Sequence, residues 1–452
     1  WKERDDIINV IIEDGVTNIE NAAFNKCEAL TSIAIPHSVT SIGDWAFEEC
    51  KALTSITIPD GVTSIGNNAF SDCTALSSVT IPKSVTNIGN DFYDTPWLKA
   101  QRQINPLVIV NDILIDGTAC TGDVVIPDGV KSIGRSAFIG CHGLTSVTIP
   151  ASVKSIEKWA FYECKALTSI AIPDSVKSIG EEIFSECTAL TAIEIPDSIT
   201  NMDFFTFYNT PWLEAQKEKN PLVIVNGILI CGDTCKGDVV IPDDVTHIGE
   251  WAFEEGSDIT SVTIPDSVTS IGDYAFDECI AMTSVTIPES ITSIGESAFH
   301  DCYALTSITI PESVTTIEED TFWGCNALIS MTIPENVTNM DISAFNSCDA
   351  LKSITIYNPE CEITGYCLPA LDTLEIYGYT GSTAEAYATK HKHYTSFVPL
   401  DEASEISTAK TKDKKSSGKN IVPIIVIGAF VCIGAAPFII FMKKKISNKA
   451  DY

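Results

Sequence analysis

Apolar and polar positions recur along most of this chain with a period of 23 residues. In one copy Leu305, Ile308 and Ile310 are apolar and Thr309 between the isoleucines is polar, the alternation of a short, half-buried strand. Pro311 then closes the strand, because proline cannot donate to a ladder, and Glu312-Ser313 turns a corner. Val314 and Ile317 point inward again, and most copies follow with Gly and then Ala-Phe-x-x-Cys, as in Ala298-Phe299 and Cys302. The glycines (Gly272, Gly295) are expected to supply a bend with φ > 0. One copy buries too little to fold alone. Copies stacked at the strand spacing of about 4.8 Å would place isoleucine, phenylalanine and cysteine in continuous ladders, so the fold class is a β-rich repeat solenoid.

The strand-closing prolines fall at Pro36, Pro59 and Pro82, at Pro127, Pro150, Pro173 and Pro196, and at Pro242, Pro265, Pro288, Pro311 and Pro334. Each of the two wide gaps is close to two periods. They hold inserts near 92–126 and 207–241 that repeat each other: Asn105-PLVIVNDILIDGTACTGDVVIP and Asn220-PLVIVNGILICGDTCKGDVVIP. Asn111-Asp112 and Asn226-Gly227 separate paired apolar runs, which predicts a β-hairpin in each insert, read as a spacer in register with the stack rather than a ligand loop. Val10, Ile12, Val16 and Ile19 match Ile33, Ile35, Val39 and Ile42, so residues 1–22 read as a worn first coil.

The solenoid is assigned to 1–358. Residues 359–400 lose the period and read as a C-terminal cap, with a short helix near Thr380–Ala388 capped by Ser382 or Thr383. Residues 401–420 are polar and read as a flexible linker. Residues 421–442 carry no charge and are long enough to cross a bilayer, giving one transmembrane helix, with Lys443, Lys444 and Lys445 opening a basic tail over 443–452. Lysines lie on both sides of the span, so charge alone does not orient it.

The recurring Ile-Pro-x-x-Val-x-x-Ile-Gly-x-x-Ala-Phe-x-x-Cys-x-x-Leu resembles the BspA-like branch of the leucine-rich repeats over roughly residues 7–400, and Gly378–Leu400 resembles their end caps. Cys27 stands three residues before Leu30, unlike the commoner leucine-rich pattern, which favours a straighter rod over a wide horseshoe. The resemblance implies a surface protein used in adhesion and recognition. The expected placement is a single-pass cell-membrane protein with its repeats outside and its short tail cytoplasmic.

Sixty-one acidic and 28 basic side chains give a net charge of −33, which argues against nucleic acid as a partner. Ten of the sixteen cysteines share one repeat position and read as a buried ladder; Cys361 and Cys367 lie outside it and are the candidates for a disulfide. Cys231 and Cys235 have only Cys120 as a counterpart in the first insert, which does not support a metal site. No catalytic or cofactor motif occurs, so neither catalytic residues, metal nor cofactor is assigned and the chain is read as a non-enzyme. The candidate ligand-binding residues are Lys131, Lys154 and Lys177, which replace Thr on three successive coils. Expected partners are extracellular proteins or glycans. A passive surface stalk is the alternative, and a β-solenoid polysaccharide-processing enzyme a more distant one.

Overall fold

The computed structural model describes residues 6–366 and 374–400. Most coils contribute two short strands that pair in parallel with the same strands of a neighbouring coil, whereas the run 305–310, expected as a strand, keeps the alternation of exposure without strand pairing. One ladder is formed by the Ile-x-Ile runs, with Ser55–Thr57 on Ser78–Thr80 and Ser261–Thr263 on Ser284–Thr286. The other is formed by Ser-Ile pairs, with Ser41–Ile42 between Asn18–Ile19 and Ser64–Ile65. The worn first coil joins both ladders, Asn9–Ile11 pairing with Ser32–Ala34.

The interior is filled by columns of identical residues. Phe47 stacks on Phe70 at 5.2 Å, and Phe276 lies between Phe253 at 4.9 Å and Phe299 at 5.1 Å, all fully buried. The cysteines form a second column. Cys73, Cys187 and Cys302 each donate their thiol to the carbonyl of the phenylalanine 26 residues earlier, at 3.0–3.2 Å. Burial, then the neighbouring thiols, pushes the Cys302 thiol well above its ordinary range, and Cys279 is pushed up to about 12, chiefly by burial. All fourteen cysteines among the described residues are buried.

The glycines have a different role from the one expected. Gly272 and Gly295 are absent from the positions with positive φ; a Cβ on either would stand 2.5–2.6 Å from a backbone nitrogen of the preceding coil, so they permit close stacking. The left-handed bends fall instead on the residue before Ala-Phe (Trp45, Trp159, Trp251) and on the residue before Cys (Glu49, Glu163, Glu278).

Both inserts contain the expected hairpin. Val108–Val110 runs antiparallel to Ile113–Asp116, Val223–Val225 to Ile228–Cys231, and all four turn residues have positive φ. The second strand of each rejoins the stack, Ile113–Leu114 pairing in parallel with Ser132–Ile133. Its residues alternate between two cores: Ile113 and Ile115 face the preceding block and Leu114 the following one. The inserts are therefore splices between blocks of coils. Each also carries an unexpected helix, α1 (Pro96–Ile104) and α2 (Pro211–Lys219), capped by Thr95 and Thr210 with proline at its start. A bidentate pair between the half-buried Arg102 and the buried Asp116, both bonds 2.7 Å, fastens α1 to its hairpin; in the second insert the pair is Lys217 with Asp233.

The stack continues into the cap although the sequence period fades. Glu362–Thr364 pairs with Asn339–Asp341, and Leu374–Gly378 lies between Ser353–Thr355 and Thr395–Pro399. Helix α3 (Thr383–Lys390) starts at Ser382, whose hydroxyl accepts the Glu385 N–H. Cys361 is buried, and its proposed partner Cys367 lies outside the described residues, as do the linker, the apolar span 421–442 and the basic tail. Among the described residues no helix is long and apolar enough to cross a membrane.

Candidate recognition surfaces

The outward mid-strand positions form an exposed face of small residues. Ala34, Thr57, Thr80, Thr148, Thr263, Thr286, Thr309 and Thr332 all point to solvent, with Glu194 the exception in charge. Other threonines are consumed by the fold: in the column beside the Ser-Ile strands, the hydroxyls of Thr40, Thr63, Thr269, Thr292 and Thr338 each donate to the carbonyl of the residue one coil earlier, at 3.1–3.3 Å. These bonds reinforce the backbone ladder.

Lys131, Lys154 and Lys177 occupy that same column. Their backbone bonds continue it, Lys154 N to Lys131 O at 2.7 Å and Lys177 N to Lys154 O at 2.9 Å, but the hydroxyl-to-carbonyl bond to the preceding coil is given up. All three side chains are exposed. Lys131 Nζ meets Asp112 at 3.2 Å, whereas Lys154 and Lys177 reach only carbonyls of their own coils, Ala151 O and Asp174 O. The structure thus brings the three predicted residues together as adjacent rungs. An exposed contact of the Lys131–Asp112 kind is worth about 0–1 kcal/mol and yields readily to a competing anion.

Two clefts, invisible in the sequence, open where the inserts interrupt the stack. At the first, the Asn90 N–H donates to Arg135 O (3.1 Å), joining coils 45 residues apart; at the second, the Phe204 N–H donates to Glu250 O (3.4 Å). The first is lined by Asn67, Asn90, Tyr93, Arg135, Ser136 and Trp159. Asp91 lies beneath it, buried, accepting the N–H groups of Gly89 and Asn68; burial raises its carboxyl to about 7 against the opposing pull of those bonds and of Arg135. The second is lined by Glu181, Met202, Asp203, Thr206 and Glu250, and beside it Phe205 packs edge-on against Trp251, which stacks on Tyr274 at 4.0 Å. Glu250 is raised to about 7 there, mainly by desolvation, then by Asp203 and Asp273. Among the described residues no group of three or more His, Cys, Asp or Glu could hold a metal ion.

Comparison with known proteins agrees with the repeat pattern. The BspA type leucine rich repeat region matches in six copies, over residues 2–105, 116–224 and 246–375. No curated protein matches the chain. Among solved structures, a leucine rich cell surface protein from Faecalibacterium prausnitzii A2-165 is 32% identical over 79% of this chain and 88% of its own, with a TM-score of 0.35. A leucine-rich repeat protein from Bacteroides ovatus ATCC 8483 is 25% identical over 86% and 92%, with a TM-score of 0.33. With the profile matched over most of its length and its Phe, Cys and Ile ladders stacked coil on coil, the chain belongs to the BspA-type leucine-rich repeat family.

Proposed function

We propose that this chain is a membrane-anchored surface protein that recognises extracellular proteins or glycans without chemistry of its own. The observation that carries the reading is the lysine column. On three adjacent rungs a threonine that elsewhere strengthens the stack is exchanged for an exposed cation, and three cations at one-coil spacing repel one another. Against a net charge of −33 the column is a local basic stripe, and an acidic ligand that spans it relieves the repulsion among the three cations. Each contact is weak, about 0.2–1 kcal/mol, but a long sulfated or carboxylated chain engages all three together. The cell-surface description of the Faecalibacterium protein supports the placement. The apolar segment 421–442 is the proposed anchor, with Lys443–Lys445 inside and the repeats outside.

A passive stalk is the second reading, favoured by the small, uniform Thr/Ala face. Saturable binding of residues 1–400 to matrix proteins, glycans or neighbouring cells separates the two; a screen with no saturable partner leaves the stalk. Protease added to intact cells tests the placement. Release of a repeat fragment cut within 401–420 is expected, and full protection of the repeats contradicts an outside solenoid.

A further inference from the structure

The internal duplication provides a comparison within one molecule, because the same splice is built twice with different residues. Aligned on the backbone bond that crosses it, Asn90 of the first junction corresponds to Phe204 of the second. By the offset of the two inserts, Arg135 corresponds to Glu250 and Ser136 to Trp251. The second junction has one residue more, Phe205, and packs the Phe204, Phe205, Tyr208 and Trp251 rings together, leaving a cleft of about 350 Å³ beside them that is lined by Glu181, Met202, Asp203, Thr206 and Glu250. The first leaves an open cleft of about 260 Å³ with polar groups in place of those rings.

Two of those groups lack the partners that burial demands. Asn90 is more than nine-tenths buried, lines the cleft, and its side-chain carbonyl Oδ1 accepts no hydrogen bond. Leaving such an acceptor unmet costs about 1–3 kcal/mol, so the position favours an incoming donor. Arg135 is half-buried and makes no ion pair among the described residues; its guanidinium lies against the Trp159 ring, 5.4 Å from the centroid. Lys158 Nζ is 4.5 Å from the same centroid but is engaged with Glu181. Both oxygens of Asp91 are taken by backbone N–H groups, so although Arg135 lies within its electrostatic reach, the guanidinium at the cleft wall has no hydrogen-bonded counter-ion among the described residues.

A ligand that fits must donate to Asn90, present an anion to Arg135, exchange hydrogen bonds with Asn67 and Ser136, and lay an apolar edge against Tyr93 and Trp159. A pyranose ring carrying a carboxylate has all four properties: hydroxyls that donate and accept, a planar anion matched to a guanidinium, and a C–H face. The volume suits one ring rather than an extended chain. We propose that the first junction is a subsite for a single acidic sugar residue, such as the uronic acid at the end of a glycan, and that the second junction, with Glu250 in place of Arg135 and rings in place of Asn90 and Ser136, is a duplicate that does not take it. This deepens the recognition reading, yet one ring is too short to span the lysine column, so failure here leaves the column to its own test.

The experiment titrates methyl glucuronide, its uncharged match methyl glucoside, and N-acetylleucine, which offers a peptide-like carboxylate, into the full chain, reading calorimetry and Trp fluorescence. Saturable glucuronide binding is expected, with glucoside and N-acetylleucine each at least about tenfold weaker, a gap of about 1.4 kcal/mol. Asn90→Leu and Arg135→Gln should each weaken glucuronide by about tenfold or more, whereas Glu250→Gln at the duplicate junction should not. If Asn90→Leu fails to fold by circular dichroism, Arg135→Gln, at the cleft wall, decides alone. Absence of saturation, equal binding of glucoside, preference for N-acetylleucine, or unchanged affinity in Arg135→Gln overturns the proposal.

Discussion

Replacing Phe276 by Ala probes the packing that holds the solenoid together. The ring is fully buried and sandwiched between Phe253 and Phe299, at 4.9 and 5.1 Å with nearly parallel planes. Its neighbours cannot move in to fill the gap, because backbone bonds from Phe253 N to Ala275 O and from Phe276 N to Ala298 O (2.8 Å each) fix the coils. The expected cost is that of an uncollapsed cavity, about 3–5 kcal/mol, and lies toward the upper end because two stacked contacts, each about 0.5–1.5 kcal/mol, go with it. In a stack where each coil touches only its neighbours, the damage should also be local. Urea unfolding gives the magnitude, and hydrogen exchange gives the place: protection should fall around residues 253–322 and persist around Phe47 and Phe70. Thr286→Ala, on the exposed face, is the control and should stay within about 0.5 kcal/mol of the parent. A loss under about 1 kcal/mol for Phe276→Ala, or an equal loss of protection along the whole stack, would refute the ladder as the local unit of stability.

The cysteine column and the buried carboxyl at the first junction provide two further predictions. Cys279, Cys302 and Cys325 should resist alkylation in the native protein and react after denaturation, since burial raises each thiol; rapid native labelling of Cys302 would contradict the packed column. Asp91 has a folded pKa of about 7, above its ordinary value, so the unfolded chain ionises first and stability falls as pH rises from about 4 to 7. The full effect is up to about 4 kcal/mol at the linkage conversion of about 1.4 kcal/mol per pH unit. Asp91→Asn should flatten that slope in unfolding midpoints taken across this range, and an unchanged slope would place the carboxyl in an ordinary environment.

Much of the architecture was legible because it is a matter of period. The strand alternation at Ser55–Thr57 and Ser284–Thr286, the proline stops and the two hairpin turns at Asn111 and Asn226 follow from single residues and their spacing. What escaped depends on partners distant in sequence. Gly272 was read as a bend, but it answers to the backbone of Glu250 one coil away. Helices α1 and α2 span nine residues each, too short for an apolar period to stand out, although Thr-Pro before Trp-Leu is a cap followed by proline at the first helical position. The cap strands pair through backbone groups and need no repeat consensus. Of the candidate sites, the lysine column could be found because its members lie 23 residues apart. The clefts could not, because a bond between Asn90 and Arg135 and one additional residue at Phe205 decide what lines each.

Recognition by the lysine column is the central functional claim, and its most direct test is the change of Lys131, Lys154 and Lys177 together to Thr. The column already carries Thr at most other rungs, where the hydroxyl bonds the preceding coil, so the triple variant should be as stable as the parent or slightly more so. Binding to a sulfated polysaccharide is measured for both proteins at low and physiological salt, where the Debye length is about 8 Å. The parent should bind saturably, with affinity that falls as salt rises, and the triple variant should lose most of that affinity and its salt dependence. Equal binding by the two proteins at both salt concentrations would contradict the claim and leave the three lysines as variation among repeats.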